Sequence, residues 1–319
     1  MRIALVTEQF SPADEPAARV TREVTTRLVA DGHDVVVFAC GRGQATFHGA
    51  RMFWASRMTP VSAVREAMAL SRPDVCHLVD PHRLGMKAAE AAERLGIPTV
   101  VLGPRGWAPG VDPADHHPGL RDEALHARWA RAHAPDGGQL VAGYFGPLTK
   151  RNVLGRLATV ARLPGVRLLA VGEGPGAEQL RSAGAKVVPH ASGVERARCL
   201  ATVDVLLQPR KRETCSPVVL EALASGVPVV AYAAGTAADV VRHERTGLLV
   251  PTERGGRAFA RHVARLAASP DLRHVLSTGA RESVADRTWD QAVRELVDVH
   301  YAAALPATTS GQLAAQRLP

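Results

Sequence analysis

The feature that most constrains this chain is an alternation of strand-like and helix-like stretches, run twice. "RIALVT" at 2–7, "HDVVVFA" at 33–39, "PDVCHLV" at 73–79 and "IPTVVL" at 97–102 read as short buried strands, with Arg51–Trp54 as a further one. Between them, Val20, Val24 and Leu28 recur at helical spacing and Gly32 closes that helix. "PVSAVREAMALSR" and "RLGMKAAEAAERLG" predict two more helices. The pattern lapses over 103–138, a stretch rich in Pro, Gly and His with one short amphipathic helix inside. It then restarts at "QLVAGYFG" and runs through "VRLLAVG", "AKVVPH", "DVLLQP", "GVPVVA" and "LLVP", each followed by a helical pattern. Strand–helix units of this length cross over right-handedly and build open parallel sheets.

The expected fold is therefore α/β, with two Rossmann-like domains facing across a cleft. The expected boundaries are 1–108 for the first domain, 109–138 for a linker and 139–287 for the second domain. A C-terminal helix at 288–304 would return to the first domain, and 305–319 would be a mobile tail. Ligands of open parallel sheets sit beyond the carboxyl ends of the strands, which makes the cleft the expected site.

A length of 319 residues supports two cores, and 46% hydrophobic with 22% charged residues describes a soluble globular protein. No apolar run reaches the ~18 residues of a membrane span, and "MRIALVTE" lacks the form of a signal peptide, so a cytoplasmic location is expected. Cys40, Cys76, Cys199 and Cys215 are far apart, and Cys40 and Cys76 read as small buried residues in a reducing compartment. The formal charge of +8 suits an anionic ligand or a peripheral contact with an anionic membrane. Its densest clusters, Lys150-Arg151 and Arg210-Lys211-Arg212, are not interleaved with aromatic residues, which argues against nucleic acid as a partner.

Two stretches carry candidate chemistry. "AVGEGPGAEQL" at 170–180 places Gly172 and Gly174 in a strand-to-helix turn, where a ligand could approach the backbone or the turn could simply be tight. It does not match the dinucleotide fingerprint. "RETCSPVVLEALASGVPVVA" at 212–231 is more specific. Thr214, Cys215 and Ser216 precede Pro217 at the first helical position, and the N–H groups of Ser216 and Val218 at the positive helix end would form an anion site. Glu221, one turn further in, could accept two ribose hydroxyls, with Glu213 at the other end of the same diphosphate. In the first half, Asp80 and His82 of "DPHR" end a strand and would face an acceptor, whereas His77 reads as a core or cleft residue and His116-His117 as a linker feature.

The sequence from Glu213 to Ala231 resembles the E-x7-E signature of the retaining GT-B glycosyltransferases of family 4. "GEGPGAEQL", "DVLLQP", "GTAADVVRHERTGLLVP" and "TWDQAVRELVDVHY" follow in that family's order, and "GHDVVVFA", "RPDVCHL" and "RLGIPTVV" extend the likeness into the first half. "PGVDP" at 109–113 looks like its interdomain turn. The resemblance implies that Glu213 contacts the transferred sugar, Glu221 the ribose, and Ser216 to Val218 the diphosphate of a nucleotide-sugar donor. It implies no metal, and the chain has no D-x-D pair.

The chain departs from the family at several points. Pro147 stands where the family has an Arg, and Arg151-Asn152 where it has Glu-Lys; Lys150 and Arg151 would serve through a shifted loop, or the site is weakened. Asp14-Glu15-Pro16-Ala17-Ala18 replaces a glycine-bearing loop. A His-bearing loop and the segment after it are missing, with Arg105 or Trp107 as replacements. Two readings follow: a retaining, metal-independent transferase acting on an unidentified acceptor hydroxyl, or a degenerate member that binds a nucleotide sugar or a partner enzyme.

Overall fold

The structure is a computed structural model. It describes residues 1–11, 16–80, 82–101, 107–131, 138–189, 191–211 and 216–305. They divide into two compact units, Met1–Gly110 with the chain from Trp289, and Val111–Thr288.

The first unit contains β1 (Arg2–Thr7), α1 (Pro16–Ala30), β2 (Asp34–Cys40), β3 (Thr46–Phe47), β4 (Ala50–Ala55), α2 (Val61–Ser71), β5 (Val75–Leu78), α3 (Arg83–Arg94) and β6 (Thr99–Val101). The sheet order is β3-β4-β2-β1-β5-β6, parallel except for the β3–β4 pair. The direction of winding reverses between β1 and β5. Alternate residues of the strands face opposite layers. Ala4, Val6, Val36, Phe38, Cys76 and Leu78 pack with Val64 and Met68 of α2 and with Leu84 and Ala88 of α3. Cys76 is fully buried, as expected, while Cys40 is only partly so.

The last described helix, α12 (Trp289–Glu295), runs into a π-helical segment, Leu296–Tyr301, and a final turn, Ala302–Ala304. It packs against α1. Arg27 binds Asp290 at 2.7 Å and lies over the Trp289 ring. The Tyr301 hydroxyl and His77 Nδ1, both fully buried, are 2.7 Å apart. Of the expected tail, Leu305 is buried and 306–319 lie outside the described residues.

The second unit contains α4 (Glu123–Ala130), β7 (Leu140–Phe145), α5 (Arg151–Ala161), β8 (Val166–Val171), α6 (Ala177–Ser182), β9 (Lys186–Val188), α7 (Gly193–Thr202), β10 (Val205–Gln208), α8 (Pro217–Ala224), β11 (Val229–Tyr232), α9 (Thr236–Val240), β12 (Gly247–Val250), α10 (Gly256–Ala268) and α11 (Pro270–Ser283). Its order, β12-β11-β10-β7-β8-β9, is that of the dinucleotide-binding folds, with the reversal between β7 and β10. Leu140, Ala142 and Tyr144 face α5 and α10, while Val141 and Phe145 face α7 and α8.

The short α9 stops at Val240, beyond which Arg242 donates its N–H to Thr246 Oγ1 and Glu244 turns the chain at φ 62°. One local expectation needs correction. The stretch 109–138, read as a linker, is packed structure over 111–131. Arg121 and His126 bind Asp204, and Trp129 is buried against the second core. Against the opposing effect of burial, hydrogen bonds from His126 and the Val141 N–H, with the charge of Arg121 nearby, hold the Asp204 carboxyl below the usual range.

Candidate functional site

In a parallel sheet every strand presents its carboxyl end to the same edge, and the helices that follow open there with their positive ends. In the second unit that edge carries the loops after β7, β8, β10 and β11. A crevice forms where winding reverses, between β7 and β10, because the helices after neighbouring strands go to opposite faces. Phe145 ends β7 and Gln208 ends β10 at this point.

Glu221 lies on α8, at 2% exposure, on the face that packs toward α7. Its Oε2 is 2.5 Å from Arg196 Nη1, and the Arg196 guanidinium lies 5.8 Å from the centre of the Phe145 ring. A carboxylate this deep in the unit needs a cation to stay charged. Arg196 carries no sequence signal. It sits in "GVERARCL" beside Glu195 and Arg198, which pair with each other at the surface.

Pro217 begins α8, as the motif predicts, and Ser216 stands at the N-cap position without a side-chain capping bond. The expected anion site changes in one respect. The Ser216 N–H donates to Thr236 Oγ1 at 2.9 Å, and its Oγ accepts from Gln208 Nε2 at 2.7 Å, so this residue is occupied in joining α8, α9 and β10. Val218, in the first turn of α8, keeps its N–H at the helix end, where no intrahelical acceptor exists. Glu213, Thr214 and Cys215 lie outside the described residues.

Cations gather around the same edge. Lys211 Nζ lies 5.1 Å and the Arg156 guanidinium 5.0 Å from the Tyr232 ring centre at the end of β11, and Arg210 Nη2 is 3.4 Å from the Tyr144 hydroxyl. Lys150 stands at the N-cap position of α5 without a capping bond and Arg151 opens the helix, both exposed. A helix N-terminus disfavours cations, so a Lys-Arg pair there is unfavourable until an anion joins it. Asn152 is used locally, its Oδ1 accepting the Val153 N–H, and the Pro147 carbonyl accepts the Tyr144 hydroxyl.

The glycines meet backbone. A Cβ on Gly172 would overlap the Gly146 carbonyl, and one on Gly174 would come within 2.6 Å of the Leu148 carbonyl oxygen. Gly146 N–H to Val171, Leu148 N–H to Glu173 and Gly176 N–H to Leu148 sew the two loops together. Glycine at 172 and 174 is what lets the two loops approach this closely.

The corresponding reversal in the first unit, between β1 and β5, is filled from within. Asp80 does not present itself to an acceptor as expected. It is 6% exposed, its Oδ1 accepts the Glu8 N–H at 2.7 Å, and Oδ2 lies 3.4 Å from Thr7 Oγ1. Burial pushes its pKa up to about 6. Glu8 in turn accepts the N–H of Leu84 in the first turn of α3. His82 caps α3 and is exposed. Trp107 is also spent internally, donating Nε1–H to the Ala292 carbonyl at 2.7 Å. Arg105, Asp14 and Glu15 lie outside the described residues. Among the described residues, no group of three or more His, Cys, Asp or Glu could hold a metal, and no helix is long and apolar enough to cross a membrane.

Two Rossmann-like domains, each built on a parallel sheet, are the architecture of the GT-B class of glycosyltransferases. Solved structures of that class share the fold. A glycosyltransferase from Rickettsia africae ESF-5 is 12% identical, with a TM-score of 0.68 over 94% of this chain and 97% of that one. Anabaena Alr3699/HepE in complex with UDP is 14% identical, with a TM-score of 0.66 over 93% and 98%. The profile described as Glycosyltransferase Family 4 matches residues 17–135, and that described as Glycosyl transferases group 1 matches 141–269. A GDP-mannose-dependent alpha-mannosyltransferase of Mycobacterium tuberculosis (strain CDC 1551 / Oshkosh) is 31% identical, covering 95% of this chain and 97% of its own. The chain belongs to the group 1 and family 4 glycosyltransferases, enzymes that transfer sugar from a nucleotide sugar. The alignment with that relative spans 374 positions against 319 residues here, so the relative carries residues without a counterpart in this chain.

Proposed function

We propose that this enzyme transfers mannose from GDP-mannose to an acceptor hydroxyl, with retention and without a metal. The observation that carries the reading is the buried Glu221 carboxylate, held beside the switch point of the second sheet on a helix that opens at the same edge. The choice of donor rests on the relative named for GDP-mannose, and the sequence's lack of a D-x-D pair favours metal independence.

In this reading Glu221 accepts the ribose hydroxyls, and the start of α8 with the Val218 N–H receives the diphosphate. Lys150, Arg151, Arg210 and Lys211 supply positive charge where the leaving diphosphate gains negative charge, which is electrostatic catalysis. Glu213 keeps the sugar contact that the family resemblance implies, and Thr214 and Cys215 belong to the donor-binding turn before Pro217. The acceptor hydroxyl gives its proton to the leaving phosphate on the face where the bond breaks, so no separate base is needed. An α-linked product from an α-linked donor is the signature of this course.

The test is turnover of purified protein with GDP-mannose, GDP-glucose and UDP-sugars in the presence of EDTA. Release of GDP from GDP-mannose, an α-linked product by NMR and loss of release in Glu221→Ala are expected. Absence of both binding and release with GDP-mannose overturns the donor assignment. A β-linked product overturns retention, and loss of turnover in EDTA overturns metal independence.

A further inference from the structure

Resting on that reading of Glu221, we propose that Arg196 is the positioning residue of the nucleotide site, holding the Glu221 carboxylate ionised and oriented for the ribose diol. Two ribose hydroxyls each need a strong acceptor, and a carboxylate serves both only while it is ionised and correctly turned. The position of Glu221 works against the first condition. At 2% exposure it has lost nearly all contact with water, which favours the neutral acid. The Arg196 guanidinium, 2.5 Å away, supplies the compensating charge.

The second condition is met by how Arg196 is itself held. Its side chain is 16% exposed and its guanidinium lies over the Phe145 ring, so the planar group is pinned between the end of β7 and α8. By binding Oε2 it fixes the rotation of the carboxylate about its last bond. Two residues on, Arg198 shows the contrast. Its side chain is 45% exposed and pairs with Glu195 and Asp122 at the surface, where such pairs contribute little. Arg196 is directed inward to the carboxylate assigned to the nucleotide.

Arg196 touches neither sugar nor phosphate in this account and acts only through Glu221. The experiment is calorimetric binding of GDP and of 2′,3′-dideoxy-GDP to wild type, Arg196→Gln, Arg196→Lys and Glu221→Gln, with thermal unfolding of each. Wild type is expected to prefer GDP by about tenfold to a hundredfold, the range of hydrogen bonds to a charged acceptor. Arg196→Gln is expected to lose most of that preference, as Glu221→Gln does, while its affinity for the dideoxy nucleotide stays within about threefold of wild type. Arg196→Lys keeps the charge without the planar fork and is expected to retain part of the preference. It also serves as the folded comparison if Arg196→Gln unfolds.

A merely structural arginine would weaken both nucleotides alike. That outcome, or an unchanged preference in Arg196→Gln and Arg196→Lys, overturns the proposal. Wild type that does not distinguish the nucleotides, or a Glu221→Gln variant that still does, shows instead that the ribose reading of Glu221 has failed, and the role of Arg196 falls with it.

Discussion

Asp80 and Glu221 show how one residue type is set to different tasks by its surroundings. Both are buried carboxyls beside the reversal point of a parallel sheet. Glu221 has a guanidinium against it, while Asp80 accepts the Glu8 N–H and faces the Thr7 hydroxyl, and burial outweighs these contacts and raises its pKa to about 6. The unfolded chain ionises Asp80 near the ordinary value of 3.8, so between pH 4 and 6 the folded protein binds the extra proton. The contribution of Asp80 to stability is therefore greatest below that window and declines as pH rises through it. Asp80→Asn retains an oxygen acceptor for the Glu8 N–H but does not titrate. Relative to wild type, this variant should gain stability from pH 4 to pH 7, by up to about 3 kcal/mol. Urea unfolding at the two pH values measures the difference, and a constant difference would show that Asp80 ionises normally. Asp80 also marks a limit of reading a site from sequence. "DPHR" at a strand's carboxyl end looks like a residue offered to a ligand, and only the Thr7–Glu8–Asp80 contacts, made across seventy-odd residues, show that it is spent on its own unit.

At the scale of elements, the turn after β8 depends on two glycines that meet the loop after β7. Gly174 has φ +146° and faces the Leu148 carbonyl, so Gly174→Ala must either push that loop away or leave an unfavourable backbone region. A loss of about 2 kcal/mol or more is expected, seen as a lower Tm. Gly155 is the control. It lies inside α5 with nothing within 4 Å of an added Cβ, and Gly155→Ala should raise stability by about 0.5 to 1 kcal/mol. Opposite signs from the same substitution would confirm that the first glycine is there for close approach and the second is not.

These elements were also the most legible part of the chain, because buried parallel strands and amphipathic helices write their period directly into the sequence. The two-residue β3 left no period to read, and the end of α9 rests on the Arg242–Thr246 and Glu244 turn contacts. In the candidate site, Glu221 and Pro217 could be placed from spacing and turn chemistry. Arg196 and Thr236 could not, since their partners are distant in sequence and their own neighbours carry no distinguishing pattern.

For the whole molecule, the first unit is built from two ends of the chain, and its closure depends on contacts between them. Arg27 with Asp290, Trp107 with the Ala292 carbonyl and His77 with Tyr301 join the early strands and helices to the returning helix. His77 is the one with a pH signature. Burial, aided by the nearby His300, pushes its pKa down to about 3, so the folded protein holds it neutral while the unfolded chain would protonate it near 6.5. Its contribution is fully present above 6.5 and is lost as pH falls toward 3, the opposite direction to Asp80. His77→Gln cannot titrate in this range and keeps a polar partner for the Tyr301 hydroxyl. Its stability relative to wild type should therefore improve on acidification, by on the order of 4 kcal/mol between pH 7 and pH 3. Tyr301→Phe makes a separate prediction, since it leaves the buried imidazole without the hydroxyl 2.7 Å away at every pH. It should cost about 1 to 3 kcal/mol at pH 7 and loosen the returning helix. Hydrogen exchange read by peptide would then rise in β5 and in 289–305 together, while 140–250 in the second unit stays at the wild-type level. If exchange rises only in 289–305, His77 is held by the rest of its own sheet and the returning helix is an attachment to a unit that closes without it.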